Sequence, residues 1–196
     1  ELQAPVRRIR RRLEDQPAGR ERDALLQDVR HAARVLEEME SVVRAAGPGA
    51  VQPAWVPLEP FLQRVGAEVP GDLAGRLTVV AADGDAAARI DARWMERALL
   101  QLLDNARLHG RRTSRVELRV LRSGAGWRFE VADDGGGVPA GHEEAVFEPF
   151  YRMSSAAGRP GLGLALVRGV ADAHGGSAGI ANRPGVGATF WLRVPG

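Results

Sequence analysis

The run Asp133-Asp134-Gly135-Gly136-Gly137-Val138-Pro139 follows an alternating apolar segment, Trp127-Arg128-Phe129-Glu130-Val131. A carboxylate at the end of a strand can accept a hydrogen bond from the exocyclic amine of a flat heterocycle. Gly135 and Gly137, two and four residues on, let the backbone approach such a ring closely because they carry no Cβ. Alone, a strand ending in Asp and Gly is commonly just a turn. Here four further stretches accompany it in order. Leu102-Leu103-Asp104-Asn105-Ala106 lies upstream; Phe147-Glu148-Pro149-Phe150-Tyr151-Arg152, Gly161-Leu162-Gly163-Leu164-Ala165 and Gly185-Val186-Gly187-Ala188-Thr189-Phe190 lie downstream.

Asn105 sits late in an amphipathic stretch whose apolar face is Met95, Ala98, Leu99, Leu102, Leu103 and Ala106. Two readings stand: a solvent-facing Asn near a helix end, or a neutral oxygen ligand for Mg²⁺ bridging nucleotide phosphates. Gln101, one turn earlier on the same face, is no general base, because an amide does not titrate. Gly161-Leu162-Gly163 opens a helix whose free N–H groups and positive dipole end suit a phosphate; a plain glycine-rich helix start is the other reading. Phe147, Phe150 and Tyr151 line an adenine pocket or belong to the core. The histidines have no metal-ligand spacing, and His142 and His174 read as surface positions.

These residues need a scaffold. The chain has 196 residues, 44% apolar and 27% charged, enough for a real core in one or two domains. It has no cysteine, which excludes disulfides and thiolate metal sites. No apolar run is long enough to span a bilayer, and no signal peptide is visible. All 27 basic residues are arginine, so a pI near 10.2 accompanies a formal charge of only +2 and is weak evidence for nucleic acid.

Leu2, Val6, Ile9 and Leu13, then Leu25, Val29, Ala32, Leu36, Met39 and Val43, follow a 4-3 spacing on either side of Gln16-Pro17-Ala18-Gly19. That pattern predicts an antiparallel helical hairpin over residues 1–46, completed by a second copy into a four-helix bundle. Residues 47–57 read as a linker, and 58–196 as a separate domain. Within it the patterns predict helices over 58–69, 91–109 and 161–174, with Asp91 capping the second. They predict strands over 76–82, 87–91, 115–121, 127–132, 177–181 and 188–194. The fold class is therefore α+β: the hairpin, then an α/β sandwich of a mixed, mostly antiparallel sheet covered by one helical layer.

In this order the stretches resemble the motif set of sensor histidine kinases of two-component signalling, with their ATP-binding domain of the gyrase/heat-shock/kinase/mismatch-repair superfamily. Residues 102–110 look like the family's asparagine box, 133–139 its first glycine box, 147–152 its phenylalanine box, and 158–164 and 185–190 its later glycine boxes. The resemblance implies that Asp133 binds the adenine amine and that Asn105 holds Mg²⁺. It implies that His109, Gly135, Gly137, Phe150, Tyr151, Gly161, Leu162 and Gly163 contact ATP, with residues 153–160 as a short lid. Glu1-Leu2-Gln3-Ala4-Pro5 looks like the segment that follows the phosphoacceptor histidine, which would immediately precede Glu1; Glu1 would orient or deprotonate it. The implied activity is autophosphorylation of that histidine and transfer to an aspartate of a response-regulator receiver domain. The implied partners are that regulator and a second copy through residues 1–46, with no nucleic acid and no membrane contact. A cytoplasmic fragment is implied, of a protein whose full length can be anchored in the inner membrane.

Departures from the family pattern are Gln101 for the usual asparagine, Leu108 for a phosphate-reaching cation, Arg159-Pro160 in the lid, and Ala4 for Thr or Asn. Arg107 or His109 is a candidate to replace the cation at 108. Two alternatives compete. An ATP hydrolase of the same superfamily needs a carboxylate one turn before the Mg²⁺ asparagine, where Gln101 stands. A degenerate dimerisation and docking module would not bind nucleotide, which calorimetry with Mg²⁺ tests. The run Arg7-Arg8-Ile9-Arg10-Arg11-Arg12 reads as a solvated face or a dock for an acidic partner.

Overall fold

The 4-3 spacing near the N-terminus is realised as two helices, α1 (Gln3–Glu14) and α2 (Arg20–Ala45), joined by residues 15–19. The structure is a computed structural model and describes residues 3–45, 47, 49–81, 84–109, 115–153 and 160–196. The chain divides into two compact units, Glu1–Arg44 and Ala45–Gly196. Along the predicted seam Val6, Leu13, Val29 and Leu36 are half-buried, whereas Ile9 (50%), Leu25 (45%) and Val43 (70%) stay exposed.

The second unit contains β1 (Ala54–Pro57), α3 (Leu58–Ala67), α4 (Gly71–Ala74), β2 (Leu77–Val80), β3 (Ala87–Ile90) and α5 (Ala92–His109). After these come β4 (Val116–Ser123), β5 (Gly126–Asp133), a 3-10 turn (Ala145–Phe147), α6 (Gly163–Ala173), β6 (Ser177–Arg183) and β7 (Gly187–Val194). The main sheet has the order β2-β4-β5-β7-β6, with β2–β4 parallel and the other pairs antiparallel. This is the expected α+β sandwich.

Period-2 alternation decides which face the helices cover. Val116, Leu118 and Val120 of β4, Phe129 and Val131 of β5, and Phe190, Leu192 and Val194 of β7 are buried. Met95, Ala98, Leu99, Leu102, Leu103 and Ala106, the whole predicted face of α5, are buried with them, as are Val167 and Val170 of α6. Phe61 of α3 meets Phe129 edge to face at 6.4 Å between ring centroids. The alternate positions carry a charged ladder. Arg119 pairs with Glu117 at 2.9 Å and with Glu130 at 2.5 Å; Arg128 pairs with Glu130 at 2.7 Å and lies 4.5 Å over the Trp191 ring.

Two expectations need correcting. Part of the expected linker is structured: β1 pairs antiparallel with β3, the Gln52 N–H donates to Asp91 Oδ2 at 2.8 Å, and the Trp94 indole donates to the Ala50 carbonyl at 2.9 Å. His174 is buried, at 8% exposure, and is not a surface position. Its Nε2 accepts the Asp91 N–H at 2.9 Å, so the proton resides on Nδ1, which meets the Val170 carbonyl at 2.7 Å. The ring thus ties the end of α6 to the start of α5. Asp91 caps α5 as expected, its Oδ1 accepting from the N–H groups of Arg93 (3.1 Å) and Trp94 (3.2 Å).

Candidate functional site

Sheet register puts Val116, Asp133, Ala188 and Asn182 in one cross-strand row. Direct partners project to the same face of a sheet. Val116 and Ala188 are buried on the helix side, so Asp133 and Asn182 are the polar members of an otherwise apolar row. Asp133 is the last residue of β5, where the strand leaves the sheet. Its Oδ1 accepts the Gly135 N–H at 2.9 Å, which fixes the carboxylate and starts the glycine-rich turn.

Asp133 lines a cleft with Asn105 and Ala106 of α5 and with Gly136, Gly137 and Val138. Val146, Met153, Leu164, Ala188 and Phe190 complete the wall. An acceptor carboxylate, a neutral amide and exposed glycine backbone thus face a mostly apolar wall. That is chemistry for a flat, amine-bearing ring with a polar tail. Gly137 has φ +65°, and a Cβ there would stand 2.8 Å from Asn182 Oδ1, so both conformation and space require glycine.

The other predicted residues have different surroundings. Gly135 is buried and serves the turn through its N–H. Phe147 is core: it packs on Phe190 at 6.2 Å, and the Arg168 guanidinium lies 4.6 Å over its ring. Phe150 is 54% exposed with φ +67°, and its N–H donates to the Gly161 carbonyl at 2.9 Å. Tyr151 is half-buried, its hydroxyl against His142 Nδ1. Leu162 is buried and supplies no side-chain cap to α6. A Cβ on Gly161 would lie 2.5 Å from the Tyr151 carbonyl, and one on Gly163 would lie 2.5 Å from Gln101 Oε1. Those glycines therefore let α6 start tight against the 150–151 backbone and α5. Glu1, residues 154–159 of the expected lid, and the His109 side chain lie outside the described residues.

Arg107, a candidate to replace the cation at 108, is engaged by two carboxylates. Its guanidinium is held by Asp104 at 3.0 Å and Asp72 at 3.5 Å. The hydrogen bond it donates to Asp104 is the main reason its pKa lies above the ordinary value. Sequence reasoning also missed Asn182 and Glu143. The Asn182 amide accepts the Val138 N–H at 2.9 Å and donates to the Val138 carbonyl at 2.6 Å and to Glu143 Oε1 at 3.0 Å. Glu143 also accepts from the Gly141 N–H at 2.7 Å. Its own backbone N–H first, then Asn182 and Gly141, hold its carboxyl below the usual range. An Asn opening the run Asn182-Arg183-Pro184-Gly185 reads as a turn former, so only the sheet register could have revealed that its side chain points inward.

The sequence model of histidine kinase-, DNA gyrase B-, and HSP90-like ATPases matches residues 90–196, more than half of the chain. The chain belongs to this family. The sensor protein IrlS of Burkholderia pseudomallei (strain K96243) is 40% identical over 116 residues, 57% of this chain and 25% of that protein. The crystal structure of the ATP-binding domain of PrrB from Mycobacterium tuberculosis is 31% identical, with TM-score 0.59, and is matched over 74% of this chain and 97% of that one. Full-length ShkA in complex with AMPPNP matches with TM-score 0.76 over 99% of this chain and 43% of that one. At 23% identity the ShkA likeness is one of fold. The chain spans about a quarter of the length of IrlS. The mixed sheet under one helical layer is thus the histidine-kinase ATPase fold, and the cleft falls within the matched residues. Among the described residues no helix is long and apolar enough to cross a membrane.

The cleft also fits the cofactors such a family implies. Among the described residues no group of three or more His, Cys, Asp or Glu could cage a metal. A single amide oxygen from Asn105 suits Mg²⁺, which keeps several waters and takes most other ligands from phosphates.

Proposed function

We propose that this chain is the histidine-phosphotransfer and ATP-binding portion of a sensor histidine kinase. The observation that carries the reading is Asp133: a strand-end carboxylate in an apolar row, facing a cleft shared with Asn105 and the glycine backbone of 136–137. Asp133 accepts the adenine amine, and the Gly136-Gly137 backbone lies along the ring. Asn105 offers its amide oxygen to Mg²⁺, which when bound neutralises phosphate charge. The reaction forms a nitrogen–phosphorus bond on an imidazole and breaks the bond between the β- and γ-phosphates, releasing ADP. Little covalent chemistry falls to the protein; its residues position and shield charge. Gln101 stands where a water-activating carboxylate would be needed, which favours transfer over hydrolysis.

The receiving imidazole is a histidine directly before Glu1, oriented by that glutamate, and the phosphoryl group then passes to a receiver-domain aspartate. The exposed arginines of α1, Arg7, Arg8, Arg11 and Arg12, support docking of an acidic receiver surface. The exposed seam residues Ile9, Leu25 and Val43 support a homodimer through residues 1–46. The test is to add a histidine before Glu1 and incubate the chain with ATP and Mg²⁺. Acid-labile, alkali-stable phosphate on that histidine is expected. ATP consumption without phosphohistidine would favour a hydrolase.

A further inference from the structure

We propose that Asn182 is a positioning residue for the nucleotide cleft, acting as a clamp on the glycine-rich segment; this rests on the nucleotide reading above. The segment 134–144 has no strand or helix to hold it, yet its Gly136, Gly137 and Val138 form one wall of the cleft. A wall of irregular backbone must be held from elsewhere, or binding must also supply the entropy of ordering it. Asn182 holds it. From the end of β6 its amide grips both polar groups of Val138, the N–H at 2.9 Å and the carbonyl at 2.6 Å. The second amide hydrogen reaches Glu143 Oε1 at 3.0 Å, joining the far end of the segment to the same clamp.

Three further features fit this function. Asn182 shares its cross-strand row with Asp133, with Ala188 between them, so the carboxylate and the clamp are fixed by one sheet register. The β6–β7 turn adds a backbone bond, the Gly185 N–H donating to the Gly136 carbonyl at 2.7 Å. Gly137, beside Val138, leaves room for the amide, since a Cβ there would stand 2.8 Å from its oxygen. The hairpin end thus carries the glycine-rich wall of the cleft and sets how open the cleft is before any ligand arrives.

Asn182→Ala and the near-isosteric Asn182→Leu separate hydrogen bonding from space filling. Hydrogen exchange without nucleotide is expected to lose protection at the Val138 amide in both variants, while amides of β4, β5 and β7 stay protected. By calorimetry with ADP and Mg²⁺, both are expected to bind about tenfold or more weakly than the unaltered chain, the scale of two lost backbone hydrogen bonds. A merely structural role would lower the melting temperature and leave the affinity of the folded fraction unchanged; that result overturns the proposal. Unchanged Val138 protection overturns it as well. If the unaltered chain does not bind ADP at all, the nucleotide reading falls and takes this inference with it. If it binds and both variants bind equally well, only the clamp falls.

Discussion

Asn105 is half-buried on an α5 face that it shares with half-buried Gln101 and with buried leucines, methionine and alanines. Burying a polar amide there has no packing benefit, so its use is to be sought in the cleft it lines. Asn105→Ala is expected to weaken ATP binding in the presence of Mg²⁺ by about tenfold and to leave binding with EDTA almost unchanged. Calorimetry in both buffers checks this, and an equal loss in the two would remove the metal role. Glu143 makes a pH prediction at the same scale. Its folded pKa is depressed by hydrogen bonds to its own backbone N–H, Asn182 and Gly141. Its contribution is therefore present above the ordinary glutamate pKa and is lost as pH falls through the lower folded value. A melting-temperature difference between the unaltered chain and Glu143→Gln is expected at pH 7, closing as pH drops well below 4. A difference independent of pH would show that the charge is irrelevant.

At the level of elements, the sheet faces divide the labour. The helix side carries the cleft; the open side carries the ladder centred on Glu130, a buried carboxylate shared by Arg119 and Arg128. The hydrogen bond that Arg119 donates to Glu130 is the main cause that raises the Arg119 pKa. Glu130→Ala would leave two partly buried guanidiniums without that partner, at about 2 kcal/mol after allowing for their access to water. A melting temperature lower by about 4–8 °C is expected, with unchanged ATP affinity. Loss of affinity would mean that the ladder also sets the cleft. The elements themselves were legible where the signal is local. Asp91 announced the α5 cap, and the apolar spacing of 91–109 announced the helix itself. The missed features depend on distant partners. Strand β1 exists through its pairing with β3, and His174 is buried through Asp91, 83 residues away. Asn182 is functional only through a segment 44 residues earlier. Asp133, Asn105 and Gly137 line the cleft, and at each of them residue type and position both depart from what a plain strand or helix needs. Phe150, exposed, and Tyr151, half-buried, are not among the residues lining the cleft, and nothing in their spacing tells a pocket-lining aromatic from any other.

For the whole molecule, the first unit has an apolar seam and the second a complete core. Ile9, Leu25, Met39 and Val43 remain exposed in a single chain, a stripe that a second copy would cover. A dimer is expected by sedimentation at micromolar concentration, and the double substitution Leu25→Glu, Val43→Glu is expected to return it to monomer. The fragment from residue 50 onward, which keeps β1 and the contacts of Ala50 and Gln52, is expected to be monomeric and to retain the ATP affinity of the full chain. A monomeric full chain at that concentration would remove the seam from the account.

In the proposed function, recognition of the adenine ring falls to Asp133. The most direct measurement is the ATP affinity of the full chain against Asp133→Asn, by calorimetry with Mg²⁺, alongside the melting temperature without nucleotide. The substitution keeps the shape and the bond to Gly135 but removes the charge-assisted acceptor. A loss of about 1.5–3 kcal/mol, roughly ten- to a hundredfold in Kd, with little change in melting temperature is predicted. Unaltered ATP affinity in the variant would show that Asp133 does not hold the adenine ring.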